Sequence, residues 1–289
     1  MDICVLGTLA VRELGTSITP TAPKPRQVLA LLALHADEVV PVGALTEELW
    51  GSEPPRSARP TLQTYILQLR ELITAALELH GEGTRTAKDV LLTVPGGYLL
   101  RGGSGGHDVQ EFERLAGMGY RAMDAEDFPE GARLLREALA LWTGPALADV
   151  HTGPHLDTQI KRLEESRLCA LDQRIEADLR LGRHRELLSE LTVLLSRYST
   201  HESLCGQYML ALYRSGRRGE ALDAYQRLRS TLVRTLGLEP SPALAKLQRS
   251  ILMARPEGAG AGGVRLAREG GRAGRGRACD AAYAGTGPR

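Results

Sequence analysis

The sequence predicts two folded parts, an α+β part over residues 1–102 and an all-α part over 108–254. Three observations predict this. Short apolar runs punctuated by glycine stand at both ends of the first part, around Ile3 to Thr19 and Val90 to Arg101, with helical spacing between them. From Asp108 to Met253 the apolar spacing is helical throughout. Two helix ends of matching grammar, closed by Gly182 and Gly216, lie 34 residues apart, the period of a tetratricopeptide repeat. A chain of 289 residues suits two domains.

In chain order, Ile3, Val5 and Leu6 start one strand, Leu9 and Val11 a second, and Ser17 to Thr19 a third. Pro23-Lys24-Pro25 opens a helix with Val28, Leu29, Leu31, Leu32 and Leu34 buried. Val39-Val40-Pro41 is extended. A second helix, with Val42, Leu45 and Leu49 inward, ends at Trp50-Gly51. After a proline-rich turn, Ser57 caps a long helix. In that helix Leu62, Ile66, Leu69 and Ile73 recur at spacings of four, three and four, forming one stripe that Ala76 and Leu77 extend. A polar loop from His80 to Asp89 leads to a strand, the turn Pro95-Gly96-Gly97, and a second strand through Arg101. A hairpin directly after such a helix is the wing of a winged helix-turn-helix. Gly102 to Gly106 reads as a flexible linker, at 103–107 in the domain division. It is no phosphate loop, because it has no Lys and no strand-to-helix setting.

Paired helices dominate the second part, as in stacked tetratricopeptide-like repeats that leave a concave surface for a partner. Residues 255–289 are rich in Gly, Ala and Arg with no apolar period and are expected to be disordered. Their seven Arg against three acids could hold phosphates without sequence preference.

The side of the long helix opposite its stripe carries Ser57, Thr61, Thr64, Leu67, Gln68 and Glu71, flanked by Arg59 and Arg70. Gln bonds bidentately to adenine, Arg to guanine, and Thr touches a thymine methyl, so this face suits a DNA major groove. Thr64, Gln68 and Arg70 are the expected base readers. Thr61, Gln63, Lys24, Arg26 and Arg59 are expected near phosphates, and Tyr98 and Arg101 on the wing.

Other chemistry is not signalled. Lys plus Arg number 36 against 35 acids, so net charge carries no case for nucleic acid, and residues 1–105 hold nine cations against eleven acids. Cys4, Cys169, Cys205 and Cys279 show neither zinc spacing nor a disulfide framework, which fits a reducing cytoplasm. No signal peptide or transmembrane stretch is expected. His151 and His155 are separated by Gly153-Pro154, so they are not expected to ligate a metal from one helix. Glu47-Glu48 and Glu164-Glu165 are adjacent pairs, expected to be solvated rather than catalytic. No cofactor, metal or enzymatic activity is expected.

The order of parts resembles the Streptomyces antibiotic regulatory protein family over roughly residues 2–253. The resemblance is carried by Pro23-Lys24-Pro25-Arg26-Gln27 with Leu29 to Leu34, by Leu45-Thr46-Glu47-Glu48-Leu49-Trp50-Gly51, by Ala58 to Leu72, and by Pro95 to Leu100. It is also carried by Glu202-Ser203-Leu204 to Gly216, Glu220-Ala221-Leu222, and Leu236-Gly237-Leu238-Glu239-Pro240-Ser241. The resemblance implies an OmpR-like winged helix joined to a bacterial transcriptional activator domain. It also implies activation of a secondary-metabolite (antibiotic) gene cluster, and binding to tandem direct repeats in promoters as a homodimer or cooperative pairs. RNA polymerase holoenzyme is the implied protein partner, in a cytoplasmic, nucleoid-associated setting. Relatives with this wing commonly place Ser-Arg where Leu67-Gln68 stand here, so one cation is missing. Two other classes are weighed beside this one: a protein-interaction scaffold whose winged helix does not bind DNA, and a ligand-sensing regulator.

Overall fold

The computed structural model describes residues 1–81 and 85–254. The tail 255–289, with Cys279, lies outside them. The chain divides into two compact units, one of residues 1–118 and 136–168, the other of 119–135 and 169 onward.

In the first unit, β1 (Asp2–Cys4), β2 (Ala10–Glu13) and β3 (Thr16–Ser17) form an antiparallel sheet in that order, with Ile3 opposite Val11. The β2–β3 turn is Leu14-Gly15, both at positive φ (51° and 83°), which matches the right-handed twist of a two-residue hairpin. Next come α1 (Pro23–Leu34), β4 (Val39–Pro41), α2 (Val42–Trp50) and α3 (Ala58–Leu79). A one-turn α4 (Ala87–Val90), closed by a Thr86/Asp89 capping box, precedes β5 (Leu91–Val94) and β6 (Gly97–Leu100). The second sheet has the order β4-β6-β5, so the extended segment foreseen at Val39 is a full strand, paired Val40 to Tyr98. Gly97 is required there, because a Cβ would meet the Val40 carbonyl oxygen at 2.5 Å.

The stretch expected as a flexible linker lies along β1. Ile3 N–H donates to the Gly106 carbonyl at 2.8 Å, and Gly106 N–H to Asp2 Oδ1 at 2.9 Å. The chain beyond it completes the unit through side chains distant in sequence. Asp108 Oδ2 accepts from the N–H groups of Val5 and Leu6 at 2.7 and 2.8 Å, and Asp149 Oδ1 from Leu9 at 2.8 Å. Thr143 and Leu147 N–H groups donate to the carbonyls of Leu6 and Val5. Phe112 meets Trp142 edge to face at 5.5 Å, with the Arg167 guanidinium 4.7 Å above the indole.

The expectation that the acidic pairs are solvated holds for Glu47 and Glu165, which are exposed, and is corrected for Glu48 and Glu164. Glu48 is 2% exposed, and its carboxylate accepts from the N–H groups of Gly153, His155 and Leu156 at 2.6, 2.9 and 3.1 Å. It therefore caps the start of α7 (Pro154–Arg180) from α2, more than a hundred residues away, and Gln27 Nε2 donates to it as well. Glu164 holds the Ala146 N–H at 3.2 Å.

The remaining helices are α5 (Asp108–Asp124), α6 (Phe128–Ala140), α8 (Leu187–Arg197), α9 (Glu202–Arg214), α10 (Arg218–Leu236) and α11 (Pro242–Met253). The second unit uses local devices. Gly182 and Gly216 both adopt left-handed φ (80° and 81°) between successive helices, as tetratricopeptide-like pairs require. His201 Nδ1 caps α9 at Leu204 N–H, and Ser241 caps α11 with Pro242 in its first turn. Its core gathers Met209, Leu212, Ala221, Leu228, Leu247 and Ile251. Burial pushes the Cys205 thiol up to about 12.

Candidate nucleic-acid interface

The long helix α3 behaves as its periodicity dictates. Leu62, Ile66, Leu69, Ile73, Ala76 and Leu77 are buried. The opposite arc, Pro60, Gln63, Thr64, Leu67, Gln68, Glu71 and Thr74, is exposed. Its first turn holds no acid, and the Ser57 hydroxyl makes no capping bond although Ser57 sits at the cap. Ala58 N–H donates to the Pro55 carbonyl and Pro60 has no N–H, so what this end of α3 offers is the positive end of the helix dipole beside exposed Arg56 and Arg59. Thr64 Oγ1 donates to the Pro60 carbonyl at 3.2 Å, and Thr61 is half-buried.

Four residues expected at DNA are engaged inside the protein instead. Arg70 is turned onto the wing: Nε and Nη2 donate to the Leu91 carbonyl at 3.1 and 2.8 Å, and Nη2 also donates to Thr93 Oγ1 at 2.8 Å. Its guanidinium joins α3 to β5 and is not presented as a base reader. Lys24 Nζ donates to the Leu49 carbonyl at 2.6 Å, satisfying the C-terminal end of α2. Arg26 bonds the carbonyls of Pro20 and Leu9 and is ion-paired to Asp149. Tyr98, 7% exposed, packs beneath the wing rather than at its tip. Arg101 is exposed just beyond β6, and Lys88 is exposed on α4 beside α3.

The sequence reading missed Arg56 and Lys88. Arg56 lies just before α3 and Lys88 on α4 beside it, and no periodicity in the sequence marks either. Near α3, the cations whose side chains make no hydrogen bond or salt bridge are Arg56, Arg59, Lys88 and Arg101 among the described residues, with Arg101 close enough to help lower the Asp89 carboxyl. Between α3 and α4 runs an open groove of about 560 Å³ lined by Leu67, Arg70, Glu71, Thr74, Glu78 and Lys88, among others. No group of His, Cys, Asp or Glu suited to a metal occurs among the described residues, nor a helix long and apolar enough to cross a membrane.

Known proteins resemble this arrangement. Residues 16–96 match the family described as transcriptional regulatory protein, C terminal, and residues 107–252 match the bacterial transcriptional activator domain. Regulatory protein DnrI of Streptomyces peucetius is 53% identical over 256 residues, covering 89% of this chain and 93% of DnrI. The chain belongs to the Streptomyces antibiotic regulatory protein family. AfsR of Streptomyces coelicolor is 38% identical over 87% of this chain, which spans only 24% of that longer relative. Among solved structures, Mycobacterium tuberculosis EmbR in complex with a low affinity phosphopeptide superposes with a TM-score of 0.78 at 32% identity, over 87% of this chain and 64% of EmbR. As a member of this family the chain is a transcriptional regulator of the DNA-binding activator type, with an OmpR-like winged helix and a tetratricopeptide-like helical region.

Proposed function

We propose that this chain switches on a secondary-metabolite gene cluster by binding tandem direct repeats at its promoters and helping RNA polymerase engage. In this account residues 1–102 read DNA and 108–254 form the activator part, a division supported by family matches that end at 96 and begin at 107. Copies bind side by side, as a homodimer or cooperative pairs, in the cytoplasm on the nucleoid. The observation that carries the reading is the unobstructed arc of α3, on which Gln63, Thr64 and Gln68 stand exposed between cations that hold no internal partner. Gln68 and Thr64 read base edges. Arg56, Arg59 and the N-terminal turn of α3 take phosphates, with Gln63 and Ser57 beside them and Arg101 and Lys88 on the wing side.

Mobility shift of promoter fragments from neighbouring biosynthetic genes tests this directly. Retarded bands that unlabelled specific fragment competes away support it, and no retention at low salt rejects it. A second reading, a scaffold that has lost DNA binding, is favoured by the internal use of Lys24, Arg26 and Arg70 in a segment whose cations are already outnumbered by acids. Absence of any DNA affinity together with intact protein partners would select it.

A further inference from the structure

Leu67 occupies the middle of the exposed arc of α3. Gln63 and Thr64 lie one turn before it, Gln68 beside it and Glu71 one turn after, and all are exposed. It is itself 56% exposed, a large apolar side chain on the outward face of the helix at the edge of the groove between α3 and α4. With Arg70 held by Leu91 and Thr93, the central turns of this arc carry no guanidinium to pair with guanine. What remains is Gln68, suited to adenine, and two apolar surfaces, Leu67 and the Thr64 methyl, suited to the 5-methyl of thymine.

We infer that Leu67 is a specificity-determining residue that packs on a thymine methyl, so that the centre of the half-site read by α3 is A·T rather than G·C. The inference rests on the DNA-binding function proposed above. It also accounts for an apolar residue at a position where water would otherwise favour a polar one: the methyl and the Leu side chain cover each other when the helix enters the groove.

The experiment uses the full chain. Binding sites are selected from a random duplex pool, and each thymine of the selected site is then replaced singly by deoxyuridine, which removes only the methyl. Affinities are measured for the wild type and for Leu67→Ala, a variant whose fold is checked by thermal melting and whose changed side chain is exposed. The expected result is one thymine at which loss of the methyl weakens the wild type about four-fold, the effect of one buried methyl group. Leu67→Ala should be weaker on the intact site and indifferent to that same swap. A G·C centre in the selected site, a wild type indifferent to every swap, or a Leu67→Ala protein that keeps the sensitivity overturns the inference while leaving DNA binding intact. A pool that enriches no sequence, or no retained DNA at all, overturns the DNA-binding function together with it.

Discussion

The two units differ in how far along the chain their backbone N–H groups reach for a cap, the first leaning on remote carboxylates and the second mainly on neighbouring residues. The second closes its helices with residues next to them: left-handed Gly182 and Gly216, His201 before α9, and Ser241 before α11. The first satisfies N–H groups left over by its strands and helices with carboxylates far off in sequence: Glu48 at the start of α7, Asp108 under Val5 and Leu6, Asp149 at Leu9. A cap from a neighbour stabilises one helix. A cap from a hundred residues away ties the placement of the helix-turn-helix to the segment that follows it, so such a bond carries both stability and geometry.

The sharpest way to break the contrast is Glu48→Ala. It leaves one buried and two part-buried N–H groups without their acceptor, and the expected loss is about 3 kcal/mol in chemical denaturation. Glu48→Gln, which keeps one acceptor oxygen, should lose less. Arg70→Ala removes the bonds between α3 and β5. A loss of about 1–2 kcal/mol is expected, along with weaker DNA affinity and an unchanged base preference in site selection, because the wing loses its anchor while the reading face stays. A changed preference would restore Arg70 as a base reader. Ser241→Ala, the local counterpart, should cost about 1 kcal/mol and leave DNA affinity unaltered.

The smallest effect is a pH slope. Burial raises the Asp108 carboxyl above its ordinary value of 3.8, against the lowering pull of the Leu6 and Val5 N–H groups. A carboxyl raised in the folded state holds its proton there after the unfolded chain has released it. Stability therefore declines as pH rises from about the ordinary value through the raised one, and stays lower above it. Asp108→Asn should flatten that decline in denaturation curves taken across the acid range. An unaltered curve would assign the slope elsewhere.

What the sequence disclosed follows the same contrast. The α3 stripe, the Pro95-Gly96 hairpin and the paired glycines 34 residues apart are local signals, read correctly because spacing alone decides them. Leu49, Asp149, Leu91 and Gly153, which engage Lys24, Arg26, Arg70 and Glu48, lie 21 to 123 residues away from them, and no pattern in a window of a few turns announces them. Arg70 was the costliest of these: its position on the helix places it at the edge of the reading face, and only the course of β5 decides that it turns away. Tyr98 is buried for a related reason, since strand alternation is fixed by the register with Val40 rather than by the turn before it. With four cations left free near the groove, the salt dependence of binding should be modest, a log–log slope of about −3 to −4 per protomer.

The central claim, that the outward arc of α3 reads bases, is tested most directly by fluorescence anisotropy of the full chain and of Gln68→Ala, on a selected site and on a scrambled duplex of equal length. The account predicts that Gln68→Ala binds the scrambled duplex as the wild type does and loses about ten-fold or more on the selected site, the worth of one bidentate contact to adenine. Equal affinities of the two proteins on the selected site would contradict it.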